Sequence, residues 1–162
     1  PDALLRIAAR HPARFRAVEH AARNLGFAVA THGAGDATAE TQCLVVDGMG
    51  VMMRYYAACD LAFVAGSLVP IGGHNVLEPA ALSVPVLVGP HTFNFDEITR
   101  SLIEQGGAMR VTGAAQLGPD VLRLLLDAAS RERMGRDAQG VFERERGAVQ
   151  RVMQLIDGML QE

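Results

Sequence analysis

The residues best suited to chemistry lie in one short stretch of the sequence, residues 72–78. Its two adjacent glycines, Gly72 and Gly73, let backbone amides approach an anion without obstruction by a Cβ atom, and the helix predicted after them adds unpaired N–H groups. Asn75 and Glu78 are three positions apart and so lie on one face of the first helical turn. There a carboxylate can accept hydrogen bonds from two neighbouring ribose hydroxyls, while the amide donates to a phosphate. The stretch therefore predicts a nucleotide-binding loop.

A structural interpretation of the same residues stays open. Asn75 can cap the helix and Glu78 can complete a capping box without any ligand. His74 can donate to a phosphate or a sugar carboxylate, but a loop histidine can equally bond to the backbone.

Two more loops follow predicted strands and are candidates for the same site. Residues 89–95 contain His91 and Asn94 among ring side chains, and we expect this loop to flank the first one. In the alternative interpretation its phenylalanines fill the core and its asparagine caps the next helix. After another strand, Met49 and Gly50 can form a wall for a nucleotide base. In open α/β sheets, ligands bind at this carboxyl edge of the strands.

Short apolar runs alternate with helical patterns and predict the elements that position these loops. Strands are predicted at residues 4–9, 27–31, 43–46, 61–65, 85–88 and 108–111, and helices at residues 13–25, 49–58, 75–82 and 95–105. Strands without polar positions have no face turned to solvent, so this order indicates a parallel sheet covered by helices on both faces. The predicted fold class is α/β, a Rossmann-like parallel sheet with a helical C-terminal tail.

The tail is predicted to be helical throughout. One apolar stripe joins Leu117, Val121, Leu124, Leu125 and Ala128, residues 131–146 are predicted to be a solvated face, and a last helix reaches Leu160. A chain of 162 residues with 49% hydrophobic content can bury one substantial core. We therefore predict a single domain over residues 1–162, with residues 117–162 as its C-terminal helices.

Composition excludes several classes of function. The fifteen basic residues are all arginine, against eighteen acidic ones, and Trp is absent, so neither a basic stripe nor a stacking platform for nucleic acid is indicated. Without lysine, a Schiff base and a P-loop lysine are excluded from this segment. Neither Cys43 and Cys59 nor any His, Asp and Glu cluster has convincing ligand spacing, so no metal is expected.

The first residue is Pro1, and neither a signal peptide nor an apolar run long enough to cross a bilayer is indicated. We therefore expect a soluble piece of a longer protein.

Three stretches resemble the bacterial 3-deoxy-D-manno-octulosonic acid (Kdo) transferases. They are residues 55–67 (YYAACDLAFVAGS), 72–80 (GGHNVLEPA) and 89–95 (GPHTFNF). Arg10-His11-Pro12 resembles the motif that opens this half in the same family, so the resemblance runs from about residue 5 to residue 112.

The resemblance implies the C-terminal half of a GT-B glycosyltransferase, in which two Rossmann-like domains face a cleft. This half would bind CMP-Kdo, and the N-terminal acceptor domain, absent from this sequence, would bind a lipid A precursor in lipopolysaccharide biosynthesis. An N-terminal glutamate is the general base expected in that family, so no catalytic residue is expected here. CMP-Kdo would be the donor substrate and no cofactor is expected, and the full-length protein would act at the cytoplasmic face of the inner membrane.

The resemblance also implies residue roles. Glu78 would contact the ribose hydroxyls, Asn75 and the glycine loop the phosphate, and Ser67 with His74 the adjacent donor groups. Arg10 and His11 would line the cleft. The complete set predicted for donor binding is Arg10, His11, Met49, Gly50, Ser67, Gly72, Gly73, His74, Asn75, Glu78, His91 and Asn94.

Several positions depart from the family's usual pattern, among them Ala9, where a proline is usual. Val51 stands where a glutamate is usual, and His32-Gly33 replaces an arginine-serine pair. Two other functions therefore stay open. One is a free-standing nucleotide-binding or interaction domain without transferase activity, and the other is half of another GT-B enzyme that uses a UDP-sugar.

Overall fold

The computed structural model describes residues 3–160, with the side chains of residues 3–147 and of residue 156. The predicted domain limits at residues 1 and 162 lie outside the described residues. The chain divides into two compact units, Pro1–Tyr55 and Tyr56–Glu162. That residues 1–162 form one domain stays a prediction.

The first unit contains a three-stranded parallel sheet in the order β1-β3-β2. Its elements in chain order are β1 (Leu5–Ala8), a 3-10 turn (Pro12–Arg14), α1 (Phe15–Asn24), β2 (Val29–Thr31) and β3 (Cys43–Val46). On one face of the central strand, Cys43 and Val45 are buried against Ala22 of α1. The helix ends at Asn24, one residue before the predicted end, and just after it Gly26 adopts a φ of 87° while its amide donates to the Arg23 carbonyl oxygen at 2.9 Å.

The second unit contains another three-stranded parallel sheet, in the order β4-β5-β6. Helix α2 (Met52–Ala57) crosses the boundary between the units, and after it come β4 (Ala62–Val64), α3 (Leu77–Ala80), β5 (Val86–Val88), a 3-10 turn (Phe93–Phe95), α4 (Asp96–Glu104), β6 (Ala108–Arg110), α5 (Ala114–Leu126) and α6 (Ala128–Leu160). All pairings of these strands are parallel, as the sequence predicts.

The central strand of this unit is buried on both faces. Val86 and Val88 belong to a core cluster with residues of α3, α4 and α6. Leu87 points the other way and packs with Val111 and Leu124, the latter on α5. Successive side chains of a strand alternate between faces, so helices on both sides are needed to cover three apolar residues in a row. The predicted fold class is confirmed.

The C-terminal tail differs from its prediction. Residues 131–146 are not only a solvated face, because Gly135, Ala138 and Val141 are buried. These three residues, spaced by three, form a narrow stripe of small side chains that the surrounding charges obscure in the sequence. The predicted charged segment and last helix are one continuous helix, α6. Ala128, predicted on the apolar stripe of α5, begins α6 and is exposed.

Candidate functional site

The loops that follow β4 and β5 leave the same edge of the sheet and are joined by hydrogen bonds. The Ser67 hydroxyl, fully buried, donates to the Val64 carbonyl oxygen at 2.7 Å and accepts the Gly89 amide at 2.8 Å. The His91 amide donates to the Ser67 carbonyl oxygen at 2.9 Å. The second loop therefore flanks the first, as predicted. Ser67 itself connects the loops, because its hydroxyl donates one hydrogen bond and accepts another within the unit.

The two adjacent glycines differ in their surroundings. A Cβ at Gly73 would make only ordinary contacts, the nearest at 3.5 Å from the His91 carbonyl oxygen. The Gly73 amide, which was predicted to contact an anion, already donates a hydrogen bond to the Gly66 carbonyl oxygen at 2.9 Å. Gly72 adopts a φ of 101°, and a Cβ there would lie 2.5 Å from Nδ2 of Asn94 and 2.5 Å from Cε2 of Phe93. The positive φ favours glycine at this position, and the side chains of the second loop add close contacts to its backbone.

Asn94 adds two more bonds between the loops. Its amide donates to the Gly72 carbonyl oxygen at 3.1 Å, and its side-chain Nδ2 donates to the Ile71 carbonyl oxygen at 3.1 Å. The residue is exposed, so it marks the outer surface of the paired loops. It does not cap α4, since that helix has no side-chain cap.

Asn75 and Glu78 form a local pair at the start of α3. Oδ1 of Asn75 accepts the Leu77 amide at 3.0 Å, and its Nδ2 donates to Oε1 of Glu78 at 3.3 Å. Both side chains are half-buried. The capping interpretation is thus partly realised, because Asn75 does satisfy one helix amide, although α3 is only four residues long and begins after Val76. The same contact fixes the orientation of the Glu78 carboxylate.

The Glu78 carboxylate acts electrostatically on Tyr56. Burial, and after it the negative charge of Glu78, raise the pKa of Tyr56 to about 12. The ring of His74 lies 3.0 Å from the place that a Cβ of Gly66 would occupy. His74 is half-buried and engaged. Tyr56 was not predicted from the sequence, since its relation to Glu78 arises only through folding.

Arg110, at the carboxyl end of β6, was also missed. Its Nη1 donates to the carbonyl oxygens of Gly89 and Pro90 at 3.0 Å each and to Oγ1 of Thr92 at 3.1 Å, and its Nη2 donates to the same Oγ1 at 3.1 Å. Its position in the sequence was the available signal, because Arg110 lies near the end of the strand predicted at residues 108–111, at the sheet edge where the candidate loops begin.

The first unit has its own carboxyl edge. Arg10 and His11 follow β1 and are exposed, and Met49 and Gly50 follow β3 in the same way, with Met49 72% exposed. Since β1 and β3 are parallel neighbours, these two pairs leave one edge of that sheet. His32, which departs from the usual family pattern, follows β2 in this unit. Its Nδ1 lies 2.6 Å from the Tyr55 hydroxyl.

The structure gives each of the twelve predicted residues a position, but their roles toward a ligand stay predictions. Among the described residues, no group of three or more His, Cys, Asp or Glu side chains could hold a metal ion. In the described part of the chain, no helix is both long and apolar enough to span a bilayer.

Comparison with known proteins places the chain in a family. It is 40% identical to a 3-deoxy-D-manno-octulosonic acid transferase of Haemophilus influenzae and 36% identical to that of Bordetella pertussis, over 99% of this chain and 38% of each relative. The chain thus spans about two fifths of the length of these curated relatives. No protein-family profile matches it.

A solved structure matches as well. It is the crystal structure of the C-terminal CMP-Kdo binding domain of WaaA from Acinetobacter baumannii, with 34% sequence identity and a TM-score of 0.81. The match covers 85% of this chain and 72% of that one. With relatives of this similarity in both sequence and structure, the chain belongs to the Kdo transferase family, within which it corresponds to the C-terminal domain.

Proposed function

We propose that this chain binds CMP-Kdo and serves as the donor-binding domain of a Kdo transferase. The observation that carries the proposal is the Asn75–Glu78 pair. Nδ2 of Asn75 holds one oxygen of the carboxylate, which leaves Oε2 to accept hydrogen bonds from ribose hydroxyls. Such bonds to a charged acceptor are stronger than bonds between neutral groups. The similarity to a domain described as CMP-Kdo binding supports the same ligand.

Side chains rather than glycine amides would hold the phosphate in this proposal. The Gly73 amide is occupied, and α3 has a single turn, so few aligned peptide dipoles point at the site. The second N–H of the Asn75 amide and the ring of His74 are the nearest donors along the chain. His91 and Asn94, on the paired loop, would border the same ligand.

Transfer of Kdo would require more than residues 1–162. We propose that a lipid A precursor binds an N-terminal domain, which also supplies the general base, and that the complete enzyme works at the cytoplasmic face of the inner membrane without a cofactor. The chain alone should therefore bind the donor without transferring Kdo.

Titration of the 15N-labelled chain with CMP tests donor binding. We expect shifts of the amide signals of residues 72–78, and we expect Glu78→Gln to weaken CMP binding about tenfold, because a hydrogen bond to a charged group contributes about 1.5 to 3 kcal/mol. The matched control is Glu97→Gln, which removes an exposed carboxylate from the first turn of α4 and should leave the affinity unchanged.

Two results would redirect the assignment. Preference for UMP over CMP would favour half of an enzyme that uses a UDP-sugar. No shift at millimolar CMP would favour an interaction domain that has lost its donor site.

A further inference from the structure

Several oxygen atoms just after the carboxyl end of β5 have no hydrogen-bond partner within the sheet. The ladder to β6 ends with the Val111 amide, which donates to the Val88 carbonyl oxygen at 2.8 Å. Beyond it, the carbonyl oxygens of Gly89 and Pro90 have no strand opposite them. Together with Oγ1 of Thr92, which is 4% exposed, they form a convergent set of acceptors. The members of this set at Gly89 and Thr92 are buried and need a donor, because unpaired buried polar groups destabilise a folded protein.

Arg110 supplies that donor with its planar guanidinium. Its four contacts, at 3.0 to 3.1 Å, reach three different oxygens of the loop. The described ion pairs do not include Arg110, so its cation is directed at neutral loop oxygens and not at a carboxylate. A lysine has one nitrogen and cannot reproduce a fork with two donor positions.

The loop that Arg110 holds is the one that carries His91 and Asn94. Between them, these two residues make three hydrogen bonds to the first loop, at Ser67, Ile71 and Gly72. A displacement of residues 89–92 would therefore loosen the pairing beside Asn75 and Glu78. We propose that Arg110 is a positioning residue of the donor site, which fixes residues 89–94 against residues 66–73 and so sets the affinity for the cytidine nucleotide. This inference rests on the proposed function.

Amide hydrogen exchange without ligand tests the positioning directly. In Arg110→Gln, we expect the His91 and Asn94 amides to exchange about tenfold faster, since both depend on the loop that is released. Arg110→Lys should fall between this variant and the wild type. The Leu87 amide, in the central strand, should keep its rate and so report an intact core. Arg136→Gln is the control for loss of charge alone, because Arg136 is 68% exposed on α6.

Measurement of CMP affinity then tests whether Arg110 influences nucleotide binding. We expect Arg110→Gln to weaken CMP binding about three- to tenfold and Arg110→Lys to recover part of it. In a Thr92→Val background, the effect of Arg110→Gln should shrink, because one of its partners is already gone. Unchanged exchange of both amides in Arg110→Gln would overturn the inference, and so would faster exchange with unchanged CMP affinity. If the wild type binds no CMP, the proposed donor function fails, and the same exchange rates still decide whether Arg110 fixes the loop.

Discussion

Substitution of Gly135 by alanine should destabilise the second unit through one backbone contact. A Cβ on Gly135 would overlap the carbonyl oxygen of Ser83 and lie 3.0 Å from its carbon. The turn at Ser83 cannot easily yield. It already holds a non-glycine residue at a φ of 57°, and its hydroxyl donates to Oε1 of Gln139 on α6 at 2.8 Å. The helix must therefore move outward to admit a methyl group.

The outward movement of α6 lowers the free energy of unfolding, whereas the higher helix propensity of alanine raises it. Ala138 and Val141, on the same stripe of α6, are fully buried in the core with Val64 and Val86. Overpacking at such a site costs up to about 3 kcal/mol, whereas alanine in place of glycine in a helix gains about 1 kcal/mol. The net expectation for Gly135→Ala is a loss of about 2 kcal/mol in the free energy of unfolding.

Gly140 is the matched control because it lies on the same helix. The nearest atom to a Cβ there is Nη1 of Arg144 at 3.8 Å, an ordinary contact. Gly140→Ala should thus gain up to about 1 kcal/mol from helix propensity. Urea unfolding followed by circular dichroism measures both variants, which should differ by about 3 kcal/mol. If Gly135→Ala proved as stable as Gly140→Ala, the close approach of α6 to the Ser83 turn would be refuted.

Two further predictions concern groups around the candidate site. Ser67→Ala should cost about 1 to 3 kcal/mol, because it leaves the Gly89 amide and the Val64 carbonyl oxygen without their partner; urea unfolding measures this, and a change near zero would contradict the geometry. Since burial and Glu78 raise the pKa of Tyr56 to about 12, the unfolded chain loses this proton at lower pH than the folded one, so stability should fall between about pH 10 and 12. Tyr56→Phe should reduce this loss of stability at high pH, measured by urea unfolding. Glu78→Gln should lower the pH midpoint of the Tyr56 absorbance change at 295 nm. An unchanged midpoint would show that the charge of Glu78 does not act on Tyr56.

The sequence predicts the strands well because they are short apolar runs in a parallel sheet. Residues 43–46 are predicted and observed as the same strand, and Val86, Leu87 and Val88 are buried as expected. The ends of helices are harder to predict from the sequence. The helix predicted at residues 75–82 is a single turn, Leu77–Ala80. The burial of Gly135 was missed because small residues carry little hydrophobic signal within a charged segment.

The candidate site is predicted in place but not in detail. Adjacent glycines after a strand indicated an accessible backbone, yet the same residue type also allows two loops to pack closely, as at Gly72. Only the fold distinguishes these uses. Arg110 shows the converse: a lone arginine gives no motif, and its role depends on oxygens some twenty positions earlier in the chain.

The paired loops also bear on how a nucleotide would be recognised. Because the Gly73 amide and the Ser67 hydroxyl form hydrogen bonds within the unit, we expect most of the binding energy for a phosphate to come from side chains at the surface of the loops. Two of those side chains already have hydrogen bonds within the unit, Glu78 from Asn75 and Asn94 to the Ile71 carbonyl oxygen, so little ordering should accompany binding. A preorganised site with few direct phosphate donors favours recognition through the Glu78 carboxylate and the ribose. Nucleosides should then retain much of the affinity of the nucleotide, and calorimetric comparison of cytidine with CMP would show whether the phosphate contributes as little as this arrangement requires.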